Sequence, residues 1–206
     1  MEQERIPFSE TRLYPVIFML IVALFFGTIL AALYHNTTAR IEENRRIRLQ
    51  RAVLNSFGLP VDNVEEDYPE YIREEEHRSL FYYKAVDDTL TLGYCFPIEG
   101  QGLWGSISAL LAVNVEFTRI IALEILDQNE TPGLGGRITE EDFLGNFREK
   151  DFISDRQIVE FRLIPEDDSP GKYDVNQITG ATSSSRAVVS MVYNNLRQIR
   201  DFFEAE

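Results

Sequence analysis

With 206 residues, 44% of them hydrophobic, the chain is long enough for one ordinary domain with a packed core plus a small appendage. Its net charge is −14, and seven of the twenty Lys and Arg residues lie at or before Arg51, so the remainder is more acidic still and offers no cationic surface for nucleic acid. A single cysteine, Cys95, excludes an intramolecular disulfide and an iron–sulfur cluster, and the two histidines, His35 and His77, have no partners at metal-ligand spacing, which argues against a zinc centre or a histidine-based hydrolase.

Residues 1–12 are a polar tail of mixed charge. From Leu13 to Tyr34 there is no charged residue, which is long enough to cross a bilayer as a helix, with Tyr14 and Tyr34 at the two interfaces. A cleaved signal peptide is the alternative, but its apolar core is shorter and its start more basic. Arg5 and Arg12 precede the span, while Arg40, Arg45, Arg46, Arg48 and Arg51 follow it. By the positive-inside rule this count puts the following domain in the cytoplasm. The basic run also suits a membrane surface or an acidic partner protein.

Residues 35–79 read as a juxtamembrane helix and an acidic connector. The helix covers Thr38 to Ser56, with an imperfect apolar stripe at Ile41, Ile47, Leu49, Val53 and Leu54, and Gly58-Leu59-Pro60 ends it. Val61 to Ser79 is the connector, with room for a short helix near Tyr71. From Leu80 the period changes, and residues 80–206 are assigned to one domain. Leu80–Val86 and Leu90–Ile98 read as a hairpin around Asp87-Asp88, with Cys95 a buried strand thiol. Gly100 to Gly105 is a glycine-punctuated loop holding the only tryptophan, Trp104. Ile107–Val115 and Ile120–Leu126 continue an antiparallel meander. With helices at both ends the class is α+β rather than alternating βαβ.

After the meander, Glu130-Thr131-Pro132-Gly133-Leu134-Gly135-Gly136 reads as a tight turn; it lacks the spacing of a dinucleotide fingerprint. Glu140 to Phe147 is a short helix with Thr139 as its cap. Arg156 to Ile164 is a strand with Val159, Phe161 and Leu163 on one face, closed by Pro165. The last helix follows Thr182, its apolar face drawn from Ala187, Val188, Met191, Val192, Leu196, Ile199, Phe202 and Phe203. Thr182 or a neighbouring serine is the expected N-cap. The small residues before this helix leave open either an ordinary cap or an anion site, where outward N–H groups and the helix dipole meet a phosphate.

Thr179-Gly180-Ala181-Thr182 resembles the [Ser/Thr]-Gly-Ala-Thr flavinylation motif of FMN-binding domains. Such domains occur in the C subunit of the sodium-translocating NADH:quinone reductase (Nqr) and the G subunit of the Rnf complex. Gly102-Leu103-Trp104-Gly105 and Glu130 to Gly136 resemble the same family, in the same order. The resemblance implies an N-terminal transmembrane helix followed by one FMN-binding domain with an antiparallel sheet and flanking helices. It implies FMN joined to Thr182 by a phosphoester, seated on Thr179, Gly180, Ala181 and Ser183. Leu103, Trp104, Glu130, Thr131, Gly133, Leu134 and Gly135 would line the cofactor, with Thr131 offering a hydroxyl and Leu134 an apolar contact to the ring. No residue is assigned as a general acid or base, since a flavin brings its own electron chemistry.

The implied protein is an electron-transfer subunit of an ion-translocating oxidoreductase, ferredoxin:NAD or NADH:quinone in type. It would be single-pass in a bacterial or archaeal inner (cytoplasmic) membrane. Its partners would be the other redox and membrane subunits, and a flavin transferase would mature it. The family places the FMN domain on the extracytoplasmic side, against the arginine count, and that side is adopted here. Asn176 departs from the family motif, standing where an acidic residue is usual, with Asp174 the nearest acid, and the motif's downstream Thr-Ser is Ser184-Ser185 here, a milder change. Two other readings are a stand-alone membrane-anchored flavoprotein shuttle and a flavin-free interaction module of the same fold.

Overall fold

The computed structural model describes residues 13–204, with side chains through Arg200, so the polar tail and the predicted core positions Phe202 and Phe203 lie outside the described side chains. Two compact units divide the chain between Arg46 and Ile47. The first contains most of helix α1, which runs from Tyr14 to Ser56 over 43 residues. Between Leu13 and Tyr34 its large apolar side chains, among them Leu20, Leu24, Phe25 and Leu30, are exposed. The uncharged part of this helix, with apolar groups on all sides, is long enough to cross a bilayer and suits a lipid surround.

The second unit is built on a six-stranded antiparallel meander of β1 (Ile72–His77), β2 (Leu80–Asp87), β3 (Leu90–Gln101), β4 (Ser106–Val113), β5 (Arg119–Asp127) and β6 (Lys150–Asp151), in that spatial order. Both faces are covered. Ile107, Ala109, Leu111 and Val113 of β4 enter one apolar cluster, with Phe96 and Ile98 of β3 and Val188, Val192, Leu196 and Ile199 of helix α4 (Thr182–Glu204). Leu110 and Ala112 enter a second cluster on the opposite face, with Val53 and Leu54 from the end of α1, and Val64 and Tyr68 of helix α2 (Val64–Tyr71). This is why β4 reads as an almost unbroken apolar run rather than an alternation. Cys95 is wholly buried in the second cluster, and burial pushes its thiol well up from its ordinary range. The end of α1 is closed as expected, with Leu59 N–H donating to Leu54 C=O and Gly58 N–H to Asn55 C=O.

Several expectations need correction. The stretch Val61–Ser79 holds the short helix expected near Tyr71, which is α2, but it also holds the unexpected edge strand β1. Its acidic residues hide the strand. Glu74 and Glu75 are held by hydroxyl donation from Tyr68 and Tyr82, each at 2.8 Å, and charge on an edge strand discourages pairing with another chain. Gly100 and Gln101 belong to β3, paired with Ile107 and Ser106, so the glycine loop is only Gly102–Gly105. β4 stops at Val113, ahead of a turn in which Asn114 accepts from Thr118 and Arg119 N–H.

Thr139 caps nothing: its hydroxyl donates to Gly136 C=O at the end of a 3-10 turn (Gly135–Thr139), and Glu140 precedes helix α3 (Glu141–Leu144). The single strand expected over Arg156–Ile164 is split. β8 (Gln157–Ile158) closes a hairpin with β7 (Ile153–Ser154), whereas β9 (Arg162–Ile164) pairs in parallel with β10 (Asp174–Asn176). The chain changes partners at Phe161, which is buried in the first cluster.

Leu111 is fully buried between the sheet and α4. Leu111→Ala is expected to lower unfolding free energy by about 2–5 kcal/mol in a denaturant titration followed by circular dichroism, whereas Leu90→Ala, on an exposed side chain, should change it by less than about 0.5 kcal/mol.

Candidate functional site

The loop Gly102–Gly105, the turn Glu130–Gly136 and the start of α4 lie far apart in sequence. One carboxylate joins them. Glu130 is buried; its Oε1 accepts from the N–H groups of Leu103 at 2.7 Å and Trp104 at 3.1 Å. Its Oε2 accepts from the Ser184 hydroxyl at 2.6 Å. The approach is close enough to require two glycines. A Cβ on Gly135 would stand 2.5 Å from Ser184 Oγ and 2.8 Å from Glu130 Oε2, and one on Gly102 would collide with Glu130 Oε1. Ser184 is part of the motif by resemblance but not among the expected cofactor residues, and its bond to a partner 54 positions away has no signal in the sequence.

The motif itself is an irregular segment braced from several sides. Gly180 has φ of +80°, which a side chain disfavours, and Leu134 lies within van der Waals reach of its α-carbon substituent position. Ile178 N–H donates to Ser185 Oγ at 3.0 Å, and Ser185 Oγ donates in turn to Ala181 C=O. Thr179 N–H donates to Glu166 at 2.6 Å, and Arg137 pairs with the same carboxylate at 2.9 Å. The hydroxyl and N–H of Thr179, with Arg137, hold the Glu166 carboxyl down at about 2. Asp174 does not reach the motif: it is engaged by Arg162 through two bonds of 3.0 Å and by Gly171 N–H.

The expected cap is also corrected. The first helical hydrogen bond runs from Ser185 N–H to Ala181 C=O, so Ala181 is the N-cap and Thr182 the first helical residue. Thr182 is half-exposed, and among the described residues its hydroxyl has no hydrogen-bond partner. The N–H groups of Thr182, Ser183 and Ser184 likewise meet no backbone acceptor. Three apolar side chains on the stretches gathered by Glu130 are exposed: Trp104 at 69%, Leu103 at 56% and Leu134 at 48%. Leu103 and Ser183 share a groove of about 550 Å³ with Gln101, Arg186 and Ala187. Thr131 and Gly133 are exposed on the turn, whose N–H groups at Leu134 and Gly136 close on Thr131 C=O.

Unfilled backbone donors beside a free hydroxyl suit a phosphate ester, and exposed aromatic and aliphatic side chains beside them suit a flat apolar ring. This donor set therefore fits FMN. A second cleft, of about 500 Å³, is lined by Arg137, Arg148 and Lys150, but its cations are already engaged. Arg137 pairs with Glu140 and Glu166, Arg148 pairs with Glu141, and Lys150 donates to Asp174 C=O.

Residues 102–197 match the FMN-binding domain family. The chain is 26% identical over 176 residues to the G subunit of the proton-translocating ferredoxin:NAD(+) oxidoreductase complex of Clostridium ljungdahlii, with 85% of each chain covered. It is 26% identical over 126 residues to the C subunit of the Na(+)-translocating NADH-quinone reductase of Vibrio anguillarum. That match takes in 61% of this chain and 49% of the relative, about half the relative's length. The crystal structure of the corresponding Na(+)-translocating NADH-quinone reductase C subunit from Parabacteroides distasonis superposes with a TM-score of 0.66 at 22% identity, covering 77% of this chain and 92% of that one, which establishes a common fold.

Two measurements probe this geometry. Glu130→Ala leaves the Leu103 and Trp104 N–H groups and the Ser184 hydroxyl without their acceptor, and is expected to cost about 1–3 kcal/mol or more of stability in denaturant. The Glu166 contact has a pH signature. Its folded value, about 2, lies below the ordinary value near 4.3, so the contact stabilises fully above about 4.3 and fades as pH falls through about 2. The difference in Tm between wild type and Glu166→Gln should therefore be constant from pH 7 to 5 and shrink steadily below about pH 4.

Proposed function

We propose, from the match of residues 102–197 to the FMN-binding domain family, that this protein is the FMN-carrying electron-transfer subunit of an ion-translocating membrane oxidoreductase complex, with FMN joined by a phosphoester to Thr182. The observation that carries the reading is the Thr182 hydroxyl: unbonded, half-exposed and set among unfilled N–H donors at the point where the Glu130 carboxylate gathers the three motif stretches. FMN, when bound, accepts and passes on electrons; the chain holds it, shapes its surroundings and leaves an edge open to donor and acceptor.

In this reading Thr182, Ser183 and Ser184 N–H groups face the phosphate, and Thr179, Gly180 and Ala181 form the seat before it. Leu103, Trp104 and Leu134 border the ring, and Thr131 offers a hydroxyl to it. Gly133 and Gly135 let the turn pass close by. Glu130 works one step back, fixing Leu103 and Trp104 through their backbone. Attachment forms a bond from Thr182 Oγ to phosphorus. A flavin transferase would catalyse it on a flavin donor activated as a pyrophosphate; the P–O–P bond breaks, the nucleotide departs with the electron pair, and the hydroxyl proton passes to the transferase.

An Rnf-type assignment is favoured over an Nqr-type one because alignment to the ferredoxin:NAD(+) oxidoreductase relative extends over 85% of both chains, while the NADH-quinone reductase relative is matched over about half its length. The exposed apolar stretch of α1 supports a single membrane anchor. Further parts of the proposal are an inner-membrane location, an extracytoplasmic FMN domain, and assembly with the complex's other redox and membrane subunits. The chain alone pumps nothing, since a span without a charged residue offers no ion path.

The test is flavin fluorescence in a denaturing gel, using full-length protein from cells that co-express a flavin transferase. Wild type should fluoresce after denaturation, and Thr182→Val should be dark. A dark wild type, beside a fluorescent family member from the same cells, would reject covalent attachment.

A further inference from the structure

We propose that Glu166 is the positioning residue of the attachment motif, supplying from a neighbouring segment the carboxylate that holds Thr179, and that Asn176 is the clamp that keeps Glu166 there. The inference rests on Thr182 being the attachment residue.

Between β10 and α4 the chain has no regular structure to set its course, so Thr182 is delivered by individual hydrogen bonds. Gln177 N–H donates to Ile164 C=O, Ile178 N–H to Ser185 Oγ, and Thr179 N–H to Glu166 Oε2. The last of these lies nearest to Thr182 on its N-terminal side and is charge-assisted, hence among the stronger kinds. It is also the one that acts on an exposed stretch, since Thr179 and Gly180 are both exposed. Besides the Glu166 contacts, Ala181 N–H donates to Ile178 C=O to close the turn through Gly180. Arg137 Nη2 fixes the far oxygen of Glu166 at 2.9 Å and is itself held by Glu140 at 3.0 Å, so the carboxylate has one orientation.

Asn176 explains how Glu166 comes to be there. Its Nδ2 stands 2.8 Å from Pro165 C=O, 3.1 Å from Glu166 C=O and 2.7 Å from Asp168 C=O. Its N–H donates to Asn146 Oδ1 at 3.0 Å. The side chain thus gathers the 165–168 turn by donation alone. A carboxylate cannot donate, and aspartate at this position would face three carbonyl oxygens with a negative charge. Asparagine here is a requirement of the turn, and the acid that serves the motif is ten residues earlier in the chain. Restoring an acid at 176 should therefore harm attachment.

The experiment measures covalent flavin on the full-length chain, co-expressed with a flavin transferase, by gel fluorescence and intact mass, for wild type, Glu166→Gln, Glu166→Asp, Asn176→Asp, Arg137→Gln and Thr182→Val. Loading rates with purified transferase are compared at equal folded protein, judged by circular dichroism. Glu166→Gln and Asn176→Asp are each expected to slow loading roughly five- to tenfold, and Arg137→Gln by less. Glu166→Asp should recover part of the loss, which a generally weakened fold would not. If wild type itself is unlabelled, the attachment reading fails. If wild type is labelled and Glu166→Gln matches it, the positioning role is overturned. Labelling of Asn176→Asp at or above the wild-type rate overturns the clamp. Should Glu166→Gln not fold, an Arg137→Gln rate equal to wild type decides against the proposal.

Discussion

A single buried carboxylate sets the terms for the rest of the molecule. Glu130 arrives at the end of β5 and takes donors from a loop 26 and 27 residues behind it and from a helix 54 residues ahead. A charge taken out of water must be fully hydrogen-bonded to be tolerated, and these three donors meet that demand. The consequence is geometric. Two glycines are needed to let the backbones in, so the carboxylate fixes loop, turn and helix start against one another. The apolar clusters hold the sheet between its helices, but they are indifferent to where Leu103, Trp104 and Leu134 end up; Glu130 is not.

Much of the fold is legible from the residues. The β2–β3 hairpin declares itself through apolar alternation around Asp87-Asp88, and α4 through its three- and four-residue spacing. The uncharged run of α1 is equally plain. What escapes notice has a common physical cause: its structure is determined by partners rather than by local pattern. β1 is a strand because Tyr68 and Tyr82 hold its glutamates and β2 pairs with it, while its own sequence, Ile-Arg-Glu-Glu-Glu-His, reads as solvated coil. The stretch around Phe161 looks continuous because its apolar content is continuous, yet its two halves bond to different neighbours.

The site is legible in the same uneven way. The three motif stretches can be named from sequence, and they do converge. Their joining cannot be read, because a Glu–Ser contact across 54 residues leaves no periodic trace. Nor can Glu166 be found: it sits in an acidic turn that reads as ordinary surface, and only the fold brings it to Thr179. Asn176, read alone, resembles a lost carboxylate. In place, it is an amide that donates where a carboxylate could not.

The helix that carries Thr182 takes its first hydrogen bond from Ala181 and its bracing from Ser184 and Ser185. The hydroxyl of Thr182 therefore contributes nothing to the start of α4. A group that caps nothing can be esterified without reopening the helix it stands on. In the proposed reading, folding and cofactor loading would thereby be uncoupled: the chain could reach its final shape and wait as a finished receptacle, with attachment the last event in its assembly.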